Sequence, residues 1–164
     1  MKLLTALTLN LITYTTSFAQ GNFNWTDTLL TVGQTRTIHL SRAFDGPCTT
    51  KPCYTYYQNQ NTYDTLLSFL NSNENVSVVF LWHTWTEDCY AYNFHVSQKM
   101  AQGLINELIK HGIGEKRIAA VGLGEARPLI SVAELNKIDP TKRFSVDRKN
   151  SRIEMIIVSV KEFN

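Results

Sequence analysis

The sequence contains 164 residues, and its 16 lysines and arginines against 14 aspartates and glutamates give a formal net charge of +2 at neutral pH. A charge so close to balance gives no reason to expect nucleic acid or an anionic membrane as a partner. The chain is long enough to form one stable hydrophobic core and too short to form two, so one domain is expected.

The N-terminal segment 1–19 is predicted to be a cleaved signal peptide. A single lysine precedes an apolar run, and Ser17 and Ala19 provide the small side chains that a signal peptidase recognises. Asn10 and several threonines interrupt this run, which makes it too short for a membrane span of ~20 apolar residues. Since no later stretch is long and apolar enough either, we expect an exported chain that begins near Gln20 and has no transmembrane segment.

Three cysteines, Cys48, Cys53 and Cys89, would face an oxidising compartment after export, which favours one disulfide and one odd thiol. Cys48 with Cys53 closes a short loop, whereas Cys89 with either of them ties the N-terminal loop to the middle of the chain, and the pairing stays open. No metal site is expected, because His83, Cys89 and His95 lack the regular spacing of known zinc ligands.

The first elements predicted after the signal peptide are a strand, a long loop and a helix. Residues 35–40 alternate and are β-branched, which favours a strand. Residues 41–59 are rich in Gly, Pro, Cys, Thr and Tyr without a steady period, so they predict a loop. A helix is expected to start near Thr62 and to end at the polar cluster 71–73. Its apolar face consists of Tyr63, Leu66, Leu67 and Leu70.

The centre of the chain predicts a strand and a long helix. The run Val76–His83 is apolar at nearly every position and too short for a buried helix, as expected of a central strand covered on both faces. After Asn93, which is expected to cap the helix, apolar residues recur every four positions up to His111 and Gly112. The core face of this helix is predicted to contain Val96, Met100, Leu104 and Leu108.

The C-terminal part predicts two further strands, 116–124 and Arg152–Val160, separated by a polar excursion. Gly122, Gly124 and Pro128 are expected to form turns after the first of these strands. The order strand, helix, strand, helix, strand, strand predicts an α+β two-layer sandwich with the helices on one face of a mixed sheet.

Motifs within residues 76–160 resemble the OmpA-like domain of Gram-negative bacteria. The family's usual text is H-T-D, then N-x-x-L-S-x-x-R-A, G-I, R-I-x-x-x-G-x-G-E-x-x-P and N-R-R-V-E-I. The matching residues are His83, Thr84, Asn93, Val96, Ser97, Ala101, Gly112, Ile113, Arg117, Ile118, Gly122, Gly124, Glu125, Pro128, Asn150, Arg152, Ile153 and Glu154. The resemblance implies the family's βαβαββ fold, with a domain at 35–164 that follows an N-terminal segment at 20–34.

The resemblance also implies a function, which is non-covalent binding of peptidoglycan at the peptide stem in the periplasm, either free or at the outer membrane. In the family, an aspartate binds the ammonium group of a diaminopimelate residue, and an arginine binds its carboxylate through two hydrogen bonds. Such a role is non-catalytic and needs no cofactor. The implied ligand-binding residues of this sequence are Thr84, Asn93, Ser97, Asn150 and Arg152.

Both of these charged residues are replaced in this sequence, the aspartate by Trp85 and the arginine by Met100. Asp147 also replaces an arginine that usually precedes the last motif. Trp85 and Met100 could pack together and fill the pocket, which leaves Arg152 as the best candidate for a carboxylate contact. The alternative is therefore a degenerate OmpA-like fold that binds another envelope protein, for which the tyrosine-rich stretch 54–61 is a candidate surface.

An enzyme is not expected. Cys89 with His83 or His95 would need a thiol of lowered pKa and a defined base, and the sequence indicates neither. The sequence also contains no glycine-rich phosphate loop and no nucleophile elbow.

Overall fold

The structure is a computed structural model that describes residues 21–40, 59–86 and 89–161. The predicted signal peptide, most of the predicted loop 41–59, and both Cys48 and Cys53 lie outside the described residues. Cys89 is exposed, and within the described ranges it forms no disulfide.

Strands and helices alternate in the described part of the chain up to the third strand, after which two short helices precede the last strand. The elements are β1 (Thr35–Ile38), α1 (Gln60–Ser72), β2 (Val76–His83), α2 (Tyr90–Lys110), β3 (Ile118–Gly124), α3 (Val132–Leu135), α4 (Pro140–Asp147) and β4 (Arg152–Val160). The predicted order is confirmed, with the short helices α3 and α4 lying in the predicted polar excursion.

The strands form one mixed sheet in the order β1, β4, β2, β3. β2 pairs in parallel with β3, whereas β4 is antiparallel to both β1 and β2. This arrangement confirms the predicted α+β fold and the central position of β2.

Burial along β2 alternates, so the prediction that both of its faces are covered is wrong. Val78 and Phe80 are buried, while Val79 and Leu81 on the opposite face are partly exposed. Side chains of the strand point to alternate faces, and only one face lies fully against the core. Fully buried members of that core include Leu66, Leu70, Phe80, Leu104, Leu108, Met155 and Ile157.

The segment that precedes β1 packs against α1. The Phe23 ring, 1% exposed, stacks on Phe69 with 5.3 Å between centroids, and Trp25 meets the same ring edge-on at 5.3 Å. Arg36 lies over the Trp25 ring, with its guanidinium carbon 4.4 Å from the centroid. The domain boundary at residue 35 stays a prediction, and these contacts join the upstream residues to the same core.

Candidate functional site

The buried polar side chains of the described residues are concentrated where β2 ends. They come from the end of that strand, from the N-terminal half of α2 and from the segment that enters β4: His83, Thr84, Asn93, Ser97, Asp147, Asn150 and Arg152. Burying polar groups costs free energy unless they find partners, so such a cluster either holds a local structure or serves a ligand. The bonds of each side chain distinguish these roles.

Arg152, at the start of β4, uses its guanidinium within the protein. Its Nε and Nη2 donate to Glu154 Oε1 at 2.8 and 2.6 Å, and its Nη1 and Nη2 donate to the carbonyls of Asn150 and Arg127 at 3.1 Å each. The side chain is 5% exposed. Arg152 therefore ties the beginning of β4 to the residues that follow β3, in addition to any contact with a ligand.

His83 pairs with Arg152 across the two strands and is 1% exposed. Neither ring nitrogen has a hydrogen-bond partner among the described residues, and the nearest carboxylate oxygen, Glu154 Oε1, lies 3.6 Å from Nε2. Burial first, and then the positive charge of Arg152, lower the pKa of His83 to about 4. The imidazole is therefore neutral at neutral pH.

Helix α2 begins earlier than predicted, and Asn93 does not cap it. The N-cap is Cys89, and Asn93 lies inside the first turn, where its Nδ2 donates to the Glu125 carboxylate after β3. The prediction missed this start because Tyr90, Tyr92 and Phe94 are exposed and contribute no core-facing period. At the other end, Gly112 follows the helix at φ +89°, as predicted for a C-terminal glycine.

Helix α2 and the end of β3 are in backbone contact at Gly122. A Cβ atom on Gly122 would lie 2.2 Å from the Gln98 nitrogen, so this glycine permits the close approach of α2 to β3. Gly122 lies within the strand, and the prediction that it forms a turn is wrong. Ser97 Oγ accepts from the Gly124 N–H at 2.9 Å, and Gln98 Nε2 donates to the Gly122 carbonyl at 3.0 Å. Gly124 itself has φ +54°, which suits the predicted turn.

The loop after β2 is held by helix α4. The rings of Trp85 and Phe144 lie 6.4 Å apart, and the Asp147 carboxylate accepts from the Thr86 N–H at 2.9 Å and from its hydroxyl at 3.1 Å. Asn150 Nδ2 donates to the same carboxylate at 2.9 Å. Trp85 thus occupies the family's aspartate position and packs toward α4.

The remaining predicted residues have mixed environments. Met100 is half-buried and packs against the hydrophobic core. Thr84 is 8% exposed; its N–H donates to the Gly124 carbonyl at 3.0 Å, and its hydroxyl has no partner among the described residues. Asn150 makes two hydrogen bonds with the backbone of Ile130. Its Oδ1 accepts from the Ile130 N–H at 2.8 Å, and its Nδ2 donates to the Ile130 carbonyl at 2.9 Å.

The structure therefore brings Thr84, Asn93, Ser97, Asn150 and Arg152 into one region at the end of β2, and their role in ligand binding stays a prediction. The bonds of Thr86 to Asp147 were not predicted, since the family motif contains no match at Thr86. Within the described residues, no group of three or more His, Cys, Asp and Glu side chains could hold a metal. In the same ranges, no helix has the length and apolarity needed to cross a bilayer.

No protein-family model and no curated protein matches the sequence. Solved structures do match. The peptidoglycan-associated lipoprotein from Burkholderia pseudomallei is 21% identical, covers 61% of this chain and 77% of its own, and gives a TM-score of 0.50. The OmpA-like domain of FopA1 from Francisella tularensis is 21% identical over 61% of each chain at a TM-score of 0.40. The C-terminal domain of Helicobacter pylori MotB is 13% identical, and the match covers 74% of this chain and 86% of that domain at a TM-score of 0.49.

Identities this low establish a shared fold alone. The mixed sheet order, the helix that crosses from β2 to β3 and the motif residues at the end of β2 agree with it. This chain has the fold of the OmpA-like domains.

Proposed function

We propose that this chain is a non-catalytic cell-envelope protein that binds peptidoglycan non-covalently at the peptide stem, in the periplasm. One observation carries the proposal: in an OmpA-like fold, the buried polar side chains of the described residues gather at the end of β2, where the family motif lies. The Burkholderia protein that shares this fold is itself called peptidoglycan-associated.

The binding surface in this proposal is the rim around Thr84, where the loop after β2 meets the first turn of α2. The buried hydroxyl of Thr84 has no partner among the described residues, so its capacity to donate and accept a hydrogen bond is unused there. Arg152, Asn93 and Ser97 support this rim from behind through their internal bonds. An Arg152→Ala variant would therefore lose structure as well as binding, and it is a poor probe of the ligand site.

A second candidate function is a protein-interaction module that has lost the peptidoglycan ligand. The apolar residues at both charged positions favour it, since Trp85 packs toward Phe144 and Met100 packs on the core. Removing one partner of a hydrogen-bonded charge pair commonly costs ~2–5 kcal/mol of binding, and here both partners are replaced.

The test is sedimentation of the purified chain with insoluble cell-wall sacculi, beside a Trp85→Asp, Met100→Arg double variant whose folding is checked by circular dichroism. The first proposal predicts that the wild-type chain pellets with the wall. If only the double variant pellets, the fold has been kept and the ligand lost, and the interaction module is the better account.

A further inference from the structure

A cavity lies between helix α1 and the segment that precedes β1. It measures about 380 Å³, and its lining includes Trp25, Asp64, Thr65, Ser68, Ser72 and Asn73. None of these residues belongs to the buried polar group at the end of β2, so the cavity is not part of the rim proposed above. Since ligand sites commonly span ~300–1,000 Å³, this volume suits a small organic molecule.

One wall of the cavity is a row of polar side chains on α1. Asp64, Thr65, Ser68 and Ser72 share one face of the helix, and all four are exposed. The hydroxyls of Ser68 and Ser72 bond to no other described residue, and the only such bond of Asp64 is one that its Oδ1 accepts from Gln60 at 2.8 Å. These groups can therefore bond to a ligand in place of water.

Another wall is the indole of Trp25, which its neighbours hold in a fixed position. The Arg36 guanidinium carbon lies 4.4 Å from the ring centroid, and the Phe69 ring meets the indole edge-on at 5.3 Å. Arg36 is itself fixed, because its Nη1 donates to the Phe23 carbonyl at 2.7 Å. The indole remains partly exposed. Because a side chain that is already fixed loses little entropy on binding, this surface suits an apolar ligand face.

The charges of the lining restrict the class of ligand. Among the described residues, no lysine, arginine or histidine lines the cavity, so it offers no cation to a phosphate or a carboxylate group. The carboxylate of Asp64 accepts hydrogen bonds from hydroxyl or amide groups. The ligand that fits these walls is uncharged, with an apolar face and several hydroxyls. A pyranose sugar has this combination, because its C–H groups form an apolar face and its hydroxyls lie around the edge of the ring.

We propose that this cavity binds a sugar ring of the glycan strand, with Trp25 against the C–H face and with Asp64, Ser68 and Ser72 bonding to the hydroxyls. The inference rests on the proposed wall-binding function and adds a contact with the glycan strand to the contact with the peptide stem. Hydrogen bonds that replace bonds to water contribute little each. The cavity therefore strengthens wall binding and does not replace the contact with the stem.

The test is an NMR titration of the full chain with chitotriose, a trimer of N-acetylglucosamine, which is a sugar of the glycan strand. We expect chitotriose to shift the indole N–H signal of Trp25 and the amide signals of Ser68 and Ser72. Sorbitol, which has hydroxyls but no ring face, should leave these signals in place. If chitotriose shifts none of them, or if sorbitol shifts them equally, the inference is overturned.

A pair of variants on α1 tests the cavity itself. Ser68→Gln removes a hydroxyl and places a longer side chain in the cavity, so it should weaken chitotriose binding about tenfold. Asn71→Gln is the matched control, because Asn71 is exposed on the same helix outside the lining, and it should bind as the wild type does. Equal affinity of Ser68→Gln and wild type contradicts the inference. The wild-type titration decides the question if Ser68→Gln fails to fold.

Sacculus sedimentation separates this inference from the proposed function. If the wild type pellets with sacculi but chitotriose shifts none of the signals, wall binding stands and the sugar site fails. If chitotriose binds at Trp25 but the wild type does not pellet, the sugar comes from another source and wall binding fails. If free stem peptide shifts the Trp25 signal and chitotriose does not, the occupant is a peptide and the inference is wrong.

Discussion

His83 is a buried, neutral side chain beside a fixed positive charge, and this makes the stability of the protein depend on pH. Because burial and Arg152 lower its pKa from 6.5 to about 4, the unfolded chain binds the proton more tightly than the folded chain does. The contribution is therefore fully present above the unfolded pKa and is lost as the pH falls through the interval from 6.5 to about 4. A shift of this size corresponds to roughly 3 kcal/mol.

We predict that His83→Gln removes this part of the pH dependence. In urea unfolding at pH 7.5 and pH 4.5, the wild type should lose about 2–3 kcal/mol more stability between the two pH values than the variant does. His95→Gln, at an exposed histidine of α2, serves as the control and should behave as the wild type. An equal loss in wild type and His83→Gln would show that His83 does not titrate as described.

The motif names candidate residues that lie near the end of β2, but it does not indicate what their side chains bond to. Arg152 was predicted from its match to the last motif, whereas its partners include the Arg127 carbonyl, which only the folded chain brings near. The Asp147 bonds to Thr86 likewise join residues far apart in sequence. Partners of this kind depend on tertiary geometry and leave no local pattern to read.

Among the elements, α2 and β3 form a contact that depends on a glycine. The Ser97 and Gln98 backbone lies so close to Gly122 that an added Cβ would fall 2.3 Å from the Ser97 carbonyl carbon. The neighbouring bonds of Ser97 to Gly124 and of Gln98 to Gly122 span the same contact. Any displacement of α2 here therefore also moves the rim of the proposed site.

We predict that Gly122→Ala destabilises the protein by about 3 kcal/mol, at the upper end of the usual effect of overpacking, because backbone atoms cannot yield as a side chain would. Gly114→Ala is the matched control, since its Cβ would lie no closer than 3.7 Å to a flexible arginine side chain. Thermal or urea unfolding measures both variants. A Gly122→Ala variant as stable as Gly114→Ala would contradict the close approach.

Most of the longer elements could be predicted from periodicity, whereas α3 and α4 could not. Both are short and have few buried positions, so hydrophobic period gives little signal. Their start signals were nevertheless present in the sequence. Ser131 and Glu134 form a capping box, and Asp139 caps α4 just before Pro140. In the capping box, hydrogen bonds from Ser131 hold the pKa of Glu134 below its ordinary value.

The whole molecule combines an OmpA-like fold with uncharged residues at the two positions that are charged in the family, Trp85 and Met100. The polar side chains of the motif remain and support the loop after β2, whereas the aspartate and the arginine that bind the ligand in the family are absent from their usual positions. Helix α4 holds the loop in place, because its Asp147 carboxylate accepts hydrogen bonds from Thr86. Under the proposed function, wall binding requires the peptide stem, and the glycan strands alone are not sufficient.

The most direct measurement of this claim compares the binding of the wild-type chain to intact sacculi and to sacculi from which an amidase has removed the peptide stems. We predict saturable sedimentation with intact sacculi that is largely lost when the stems are gone, and competition by free stem peptide. Equal binding to stripped sacculi, or no binding to either preparation, would contradict it.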